Sequence, residues 1–224
     1  MKQKFITLSP GYGYYIEKVP QKVLGEIKNK VDSLLQKNFK GEKSHNERLA
    51  GEIDNEYKFN PGPNLSGFLK NSNQKYDNKY NYYESFFEFH QLDFKNNNEY
   101  QKSGLPITLD DTWINFMKKQ EYNPIHFHTG VISWVIWYQI PFKFEDEIKY
   151  SKKPADKVDH GEFMFTYNHA GFGIQHLALN VDKRAEGHMV MFPSSLHHTV
   201  HPFYSSDDYR ITVAGNFKHK NYNF

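Results

Sequence analysis

The run Val131-Ile132-Ser133-Trp134-Val135-Ile136-Trp137-Tyr138-Gln139-Ile140 is dominated by β-branched and aromatic residues, which predicts a β-strand. Seven other runs of this kind lie after Gly104, separated by turn or loop residues, at 107–109, 112–117, 162–167, 175–179, 188–192, 198–202 and 210–217. Short strands without helical patterns between them predict an antiparallel sandwich or barrel. We therefore predict an α+β protein whose core is a double-stranded β-helix, a cupin-like jelly roll with N-terminal supporting helices.

The N-terminal part carries one clear helical pattern. Its apolar residues recur at helical spacing behind Pro20, a residue that the first turn of a helix tolerates; they are Val19, Val23, Leu24, Ile27, Val31, Leu34 and Leu35. This stripe predicts an amphipathic helix that packs on the β-rich half. Residues 50–59 and 65–69 are predicted as short helices, 71–81 as part of a long polar loop, and the aromatic cluster at 82–89 as either helix or strand.

At 224 residues the chain suits one domain, with 1–106 as helical and loop support and 107–224 as the jelly-roll core. The polar insert 144–160 is predicted to be a mobile surface loop near the barrel mouth, where it could act as a lid. Substrate choice is expected to lie in the loops 60–81 and 144–160.

Composition removes several classes of function. Lys and Arg number 28 against 26 Asp and Glu, so no strong field favours nucleic acid or an anionic membrane. The chain has no cysteine, which excludes disulfides, thiolate metal sites and a cysteine nucleophile. Without an apolar run of signal or membrane-spanning length, a soluble, cytoplasmic protein is expected. Oligomeric state stays open.

The histidines are the main chemical signal. Of 12 histidines, five fall in two β segments: His126, His128, His197, His198 and His201. Residues at i and i+2 of a strand face the same side, so His126 and His128 could meet a third imidazole from the later segment around a metal. Such a pair could equally be interior polar groups bonded to backbone. The intervening Phe127 should point away, into the hydrophobic layer.

The other histidines give weaker signals. His45, His90 and His219 are expected at the surface. The remaining four lack the paired spacing, although a site role stays open for them: His160, His169, His176 and His188.

Several motifs, in this order, resemble the Fe(II)/2-oxoglutarate-dependent oxygenase superfamily in its prolyl-4-hydroxylase-like branch, and especially its phage-type members. They are Trp113-Ile114-Asn115, Asn123-Pro124-Ile125-His126-Phe127-His128-Thr129-Gly130, 133–141, His197-His198-Thr199-Val200-His201-Pro202 within 186–203, and 209–216. The resemblance covers roughly residues 107–217, and 47–53 resembles the supporting helices of the phage-type group much less specifically.

The resemblance implies a metal site of His126, His128 and His198, with His126 first and His198 distal. His128 stands where the superfamily has Asp or Glu. A neutral imidazole in place of a carboxylate raises the charge of an iron site by one unit and alters its redox poise. Zinc also suits three histidines, so the identity of the ion, and whether His128 binds it or lines its pocket, stay open.

The resemblance also implies a 2-oxoglutarate site. Arg210, with Thr212 on the same face of its strand, corresponds to the motif that holds the far carboxylate, although a salt bridge with Asp207 or Asp208 would also explain a buried arginine. On the strand that follows His126-Phe127-His128, a family tyrosine corresponds to Trp137 or Tyr138, whichever faces inward. Further candidates for the pocket are Ser133, Asn115 and Asn216.

These features predict an Fe(II)- and 2-oxoglutarate-dependent dioxygenase that hydroxylates a C–H bond of a peptidyl or small-molecule substrate, with O2 as co-substrate. One alternative is a non-catalytic, cupin-like jelly roll that binds a metal or a ligand. In that case a sugar or peptide groove could be lined by aromatic residues such as Tyr82, Tyr83, Trp134 and Trp137. A metal-free structural or assembly protein of a phage is the third alternative.

Overall fold

Two antiparallel β-sheets frame the chain in this computed structural model, which describes residues 1–9, 11–42, 44, 50–90, 107–169 and 171–219. In chain order the strands are β1 Lys4–Ser9, β2 Tyr12–Lys18, β3 Glu56–Lys58, β4 Ile107–Met117, β5 Asn123–His126, β6 Ile132–Gln139, β7 Phe163–His169, β8 Gly173–Ala178, β9 His188–Pro193, β10 His197–Val200 and β11 Arg210–His219. One sheet has the order β1-β2-β9-β6-β11-β4-β3 and the other β5-β10-β7-β8.

The two sheets face each other across an apolar layer, and the predicted α+β class and double-stranded jelly roll are confirmed. Trp137 and Phe192 on the large sheet belong to one buried cluster with Phe163 and Phe165 on the small sheet. Because side chains alternate across a strand, the same strands of the large sheet present a second apolar face on the outside, where helices cover it.

The helices are α1 Gln21–Gln36, α2 Pro63–Tyr80, α3 Tyr82–Phe89 and the short α4 Phe144–Glu147, with single 3-10 turns at Ile148–Tyr150, Ala155–Lys157 and Lys183–Ala185. Helix α1 confirms the amphipathic pattern, with Pro20 just before its first turn and its buried residues in one cluster with Trp134 and Met191 of the large sheet. None of these described helices has the length and apolar character needed to cross a bilayer.

Two predictions for the N-terminal part are wrong. Residues 71–81 lie almost entirely in α2 and do not form a polar loop. The sequence resembles a loop because the buried face of this helix is partly polar: the Ser72 hydroxyl, for example, donates to Glu17 at 2.7 Å. Residues 50–59 do not form a helix, since β3 pairs with β4. Residues 65–69 are helical, within α2, and the aromatic cluster at 82–89 is the helix α3.

Three strands of the N-terminal part were not predicted. β1 pairs with β2, β2 pairs with β9, and β3 pairs with β4, so all three extend the large sheet. The boundary placed at residue 106, His45, and residues 47–49 of the weakly matching stretch lie outside the described residues.

The insert 144–160 is not the mobile loop that its charge suggested. Its α4 buries Glu147 completely, and the carboxylate accepts hydrogen bonds from the backbone amides of Tyr204 at 2.8 Å and Ser205 at 2.9 Å. The Ser205 hydroxyl donates to the same carboxylate. These bonds fasten the insert to the 203–205 turn. Likewise, most of 60–81, predicted as a substrate loop, is the packed helix α2.

Candidate metal centre

Three imidazoles meet at one end of the small sheet. His126 is the last residue of β5, and its antiparallel partner in the register of β10 is His198. Their ring centroids are 4.3 Å apart, and the ring of His128 lies 5.0 Å from His126 and 5.1 Å from His198. One ring nitrogen from each of the three lies within 4.8 Å of the others, so the group could hold a metal ion.

Backbone hydrogen bonds orient two of these rings. Nδ1 of His126 donates to the Pro124 carbonyl at 2.7 Å, and Nδ1 of His198 donates to the Leu196 carbonyl at 2.9 Å. Since a carbonyl can only accept, each Nδ1 carries the proton and each Nε2 keeps its lone pair. The backbone bonds considered as an alternative to metal binding therefore occur, and they prepare the rings as ligands.

Burial keeps the three rings neutral, which is the form that binds a metal. It lowers the pKa of His128 to about 3, with a smaller contribution from His126. It also lowers the pKa of His126, and it lowers that of His198 well below the usual range, where the neighbouring His126 and His128 act in the same direction.

Aromatic and backbone contacts fix the rings in place. Phe163 stacks on His198 at 5.4 Å and an interplanar angle of 15°, and Trp113 lies 5.5 Å from His128. The backbone amide of His128 donates to the Ser194 carbonyl at 2.9 Å. The imidazoles are thus held by packing on several sides.

Ser133 and Asn216, predicted as pocket residues, have another role. The Ser133 hydroxyl donates to Asn216 Oδ1 at 2.7 Å and lies 2.9 Å from the Ser194 hydroxyl. This buried network braces the segment whose Ser194 carbonyl holds His128. Neither Ser133 nor Asn216 lines the cavity beside the histidines, because both sit further along their strands.

A small cavity of about 40 Å³ adjoins the three histidines between the sheets. Part of its lining from the large sheet is a cross-strand row: Trp137 on β6 pairs with Thr212 on β11, Thr212 with Asn115 on β4, and Asn115 with Glu56 on β3. Within this row the Asn115 amide donates to the Thr212 hydroxyl at 3.2 Å. Ala50, Ile53 and Asn123, the last on β5, also line the cavity.

Arg210 lines the same cavity and is only 1% exposed. Its Nη1 donates to the Gly161 carbonyl at 2.8 Å, and its buried Nε has no hydrogen-bond partner. Gly161 is required there, since its φ is +73° and a Cβ would meet the Phe142 ring at 2.4 Å. The alternative of a salt bridge to Asp207 or Asp208 is not what the structure shows: neither pairs with Arg210 among the described residues, and Asp207 pairs with Lys119.

A buried carboxyl accompanies Arg210. Burial raises the pKa of Glu162 to about 7, and the guanidinium acts against that rise. The same burial lowers the pKa of Arg210 to about 10, so the guanidinium stays charged at neutral pH.

Of the two aromatic candidates on β6, the inward residue is Trp137. It is fully buried, lines the cavity, and leaves its indole Nε1 without a partner. Tyr138 points to the opposite face of the sheet and packs against the outer cluster, beyond reach of the cavity. Its assignment to the pocket is therefore wrong.

None of the other described histidines lines the small cavity, and His90 lies with His128 along a second cleft. His197 is exposed beside Phe127, His201 is half-buried with its amide bonded to Glu162, and His219 contacts Phe87 on α3. The other four each have a contact elsewhere: His160 with Tyr204, His169 with Phe172, His176 with Thr166, and His188 with the Met1 carbonyl. Phe127 does turn away from the pair, but it is 55% exposed and so does not enter a hydrophobic layer.

A larger cleft of about 460 Å³ meets the site at His128, and aromatic residues such as Tyr12, Tyr82 and Phe86 line it. The suggested aromatic groove is only partly formed by the residues named for it. Tyr82 lines this cleft, whereas Tyr83 and Trp134 are fully buried in the core.

Glu56 is the residue of this site that the sequence did not reveal. It is 1% exposed, it lines the cavity, and both of its carboxyl oxygens lack a hydrogen-bond partner. Burial raises its pKa to about 8, reinforced by the charge of Glu121. In the sequence it stands in a polar stretch, Asn55-Glu56-Tyr57-Lys58, which carries no marker of burial.

Comparison with known proteins relates this geometry to one family. Residues 111–216, from β4 to β11, match the family model described as "Putative 2OG-Fe(II) oxygenase". A search of curated proteins finds no significant match.

Among solved structures, similar folds include a Pseudomonas putida prolyl-4-hydroxylase, with 13% identity over 92% of this chain and 93% of the other at a TM-score of 0.52. AviO1 from Streptomyces viridochromogenes Tue57 is 10% identical over 98% and 99%, at a TM-score of 0.50. The non-heme, alpha-ketoglutarate-dependent carbocyclase SnoK of nogalamycin biosynthesis is 11% identical over 97% and 87%, at a TM-score of 0.50. These likenesses support the double-stranded β-helix fold.

Proposed function

We propose that this chain, whose residues 111–216 match the 2OG-Fe(II) oxygenase family model, is a hydroxylase-type dioxygenase whose iron is bound by His126, His128 and His198. The observation that carries this proposal is the meeting of three neutral imidazoles within 4.8 Å. Two of them already have the free Nε2 that a metal requires. Nitrogen ligands on one side of an ion leave its other side open for a co-substrate and oxygen.

The residues beside the histidines suit 2-oxoglutarate. Arg210 Nε and Trp137 Nε1 are buried donors without partners, and a carboxylate supplies the acceptors that they lack. Thr212, between these two side chains on the sheet, adds a hydroxyl. We assign the far carboxylate of 2-oxoglutarate to Arg210, Trp137 and Thr212, with Asn115 positioning the Thr212 hydroxyl.

The cavity holds about three water-sized groups at its present 40 Å³. A whole 2-oxoglutarate is larger than this, so its binding requires the cavity to widen.

When bound, iron and 2-oxoglutarate supply the oxidation of a substrate C–H bond, coupled to oxidative decarboxylation of the co-substrate to succinate and CO2 with O2 as oxidant. The protein supplies position and exclusion of water. Phe163 and Trp113 keep the imidazoles in place, the buried guanidinium of Arg210 orients the co-substrate, and the inter-sheet layer shields both.

His128 sets this site apart from a site with two histidines and a carboxylate. Three neutral ligands leave the ion with its full divalent charge, which strengthens its attraction for an anionic co-substrate. Since the Pseudomonas putida relative is a prolyl-4-hydroxylase, peptidyl proline belongs among the first compounds to test.

The experiment combines metal analysis with succinate release. Protein purified and reloaded with Fe(II) should bind one iron per chain and release succinate from 2-oxoglutarate in the presence of O2, even without primary substrate. Omitting iron, adding a chelator or replacing 2-oxoglutarate with glutarate should each abolish the release. Tight metal binding without 2-oxoglutarate binding or succinate release would instead identify a non-catalytic metal-binding jelly roll.

A further inference from the structure

Along the cross-strand row from Trp137 to Glu56, the polar atoms without hydrogen-bond partners are donors at one end and acceptors at the other. The donors, Trp137 Nε1 and Arg210 Nε, lie on β6 and β11. The acceptors lie beyond them: Asn115 Oδ1 on β4 and both oxygens of Glu56 on β3. Neighbouring strands are about 4.8 Å apart, so Trp137 and Glu56 stand roughly 14 Å apart at the two ends of the row. One end of the row suits an anion, and the other end suits a ligand rich in hydrogen-bond donors.

A third acceptor side chain lines the cavity from the small sheet. Asn123 Oδ1 on β5 is buried without a partner, and it lies against the chain at Gly51, where an added Cβ would be 1.9 Å from it. No Lys or Arg is among the residues that line the cavity other than Arg210. Within the described part of the chain, the carboxyl and amide oxygens near Glu56 therefore have no Lys or Arg side chain other than that of Arg210 in the cavity lining to pair with.

A buried carboxyl group with two bare oxygens is costly to the fold. Leaving such an acceptor unsatisfied destabilises the folded state, and the penalty is larger when the acceptor is charged. Groups of this kind persist at sites that bind something. A protonated amine offers three N–H donors and no acceptor, which matches the three acceptor side chains, whereas a neutral hydroxyl offers a single donor.

We propose that Glu56, with Asn115 and Asn123, binds a protonated amine of the primary substrate and thereby selects amine-bearing compounds for oxidation. This assignment rests on the proposed function, because it concerns the second ligand of the same cavity. Glu56 lies three strands from Trp137, so a substrate held there enters from the β3 edge while 2-oxoglutarate lies toward β6 and β11. The substrate carbon presented to the iron is then fixed by its distance from the ammonium group.

The test uses a matched pair of probes, n-propylammonium and n-propanol, which have the same number of heavy atoms. Each is titrated into Fe(II)-loaded protein with 2-oxoglutarate under anaerobic conditions. Fluorescence reports binding because Trp113 and Trp137 line the cavity. Wild type should bind n-propylammonium at least tenfold more tightly than n-propanol. Glu56→Gln should reduce that preference to about twofold or less.

Glu52→Gln is the matched control, since Glu52 is an exposed carboxylate four positions earlier on the same segment, and it should keep the full preference. Equal binding of the two probes by wild type would overturn the proposal without reference to any variant. A full preference retained in folded Glu56→Gln would also overturn it. Succinate release tests the proposed function separately. Release of succinate without a preference for the amine refutes only the role of Glu56. A preference for the amine without release of succinate refutes only the oxygenase activity.

Discussion

His126 and His198 face each other as register partners of β5 and β10, with ring centroids 4.3 Å apart. The relationship follows from the strand pairing, since partners that are directly opposite in an antiparallel pair have close side chains. His128, beyond the end of β5, brings the third ring to the same point. The small sheet therefore positions two of the three imidazoles of the candidate metal centre.

The first prediction concerns His198. Replacing it with Ala removes one of three ligands and opens a space between Phe163 and Phe192, so iron binding should weaken at least tenfold and succinate release should fall below detection. Iron content and initial rates of succinate release provide the measurement. His197→Ala is the control, because His197 is the neighbouring exposed residue, and it should retain both properties. Turnover at the wild-type rate in His198→Ala would refute the assignment.

Arg210 provides the second prediction. Lysine keeps the charge but loses the planar fork and cannot reproduce both the Gly161 bond and the contact expected for Nε. Arg210→Lys should weaken 2-oxoglutarate binding about tenfold or more, equivalent to roughly 1.4 kcal/mol or more, as measured by calorimetry on metal-loaded protein. Arg184→Lys, at an exposed ion pair, should leave the affinity for 2-oxoglutarate unchanged. Unchanged affinity in Arg210→Lys would show that another group holds the carboxylate.

The third prediction concerns stability and the insert. Glu147→Ala leaves the amides of Tyr204 and Ser205 without their acceptor, and the free energy of unfolding should fall by about 2–4 kcal/mol. Urea denaturation of metal-free wild type and variant measures this difference in the free energy of unfolding. Glu145→Ala on the same helix, where the carboxylate is exposed, should cost less than about 1 kcal/mol. Comparable losses in the two variants would mean that the insert is not fastened through Glu147.

Glu56 gives a prediction about pH. Its pKa rises from an ordinary 4.5 to about 8 in the folded state, so the folded protein binds this proton more tightly than the unfolded chain does. The associated stability is present below pH 4.5 and is lost as pH rises through about 8. Relative to wild type, metal-free Glu56→Gln should therefore become progressively more stable from pH 5 to pH 9, by on the order of a few kcal/mol. Denaturation curves at several pH values measure the difference. A constant difference would show that Glu56 is ionised throughout.

Much of the site could be predicted from the sequence because it depends on strand periodicity. His126, His128, Arg210 and Thr212 each have a partner two positions away on an extended segment, and such spacing keeps two side chains on one face. Trp137 and Tyr138 could not be separated in this way. Their orientation depends on the irregularity in the β11 and β6 pairing between Ile211 and Thr212, which local sequence does not reveal.

Other features depend on long-range partners. Helix α2 looks like a loop because its buried side chains include Ser72 and Asn73, whose burial is possible only with partners such as Glu17 on β2. Glu147 looks like part of a solvated charge run until the 203–205 turn supplies its donors. Glu56 becomes a cavity residue only when β3 pairs with β4, and no local pattern predicts that pairing.

We propose that three imidazoles bind the same metal ion, including that of His128, which stands where the superfamily has Asp or Glu. X-ray absorption at the iron edge counts imidazole ligands directly in anaerobic Fe(II)-loaded protein. Three imidazoles are expected in wild type, two in His128→Ala, and three in the Phe127→Ala control, because Phe127 is exposed and faces away from the site. Two imidazoles in wild type, unchanged in His128→Ala, would contradict the claim and leave His128 as a wall of the pocket.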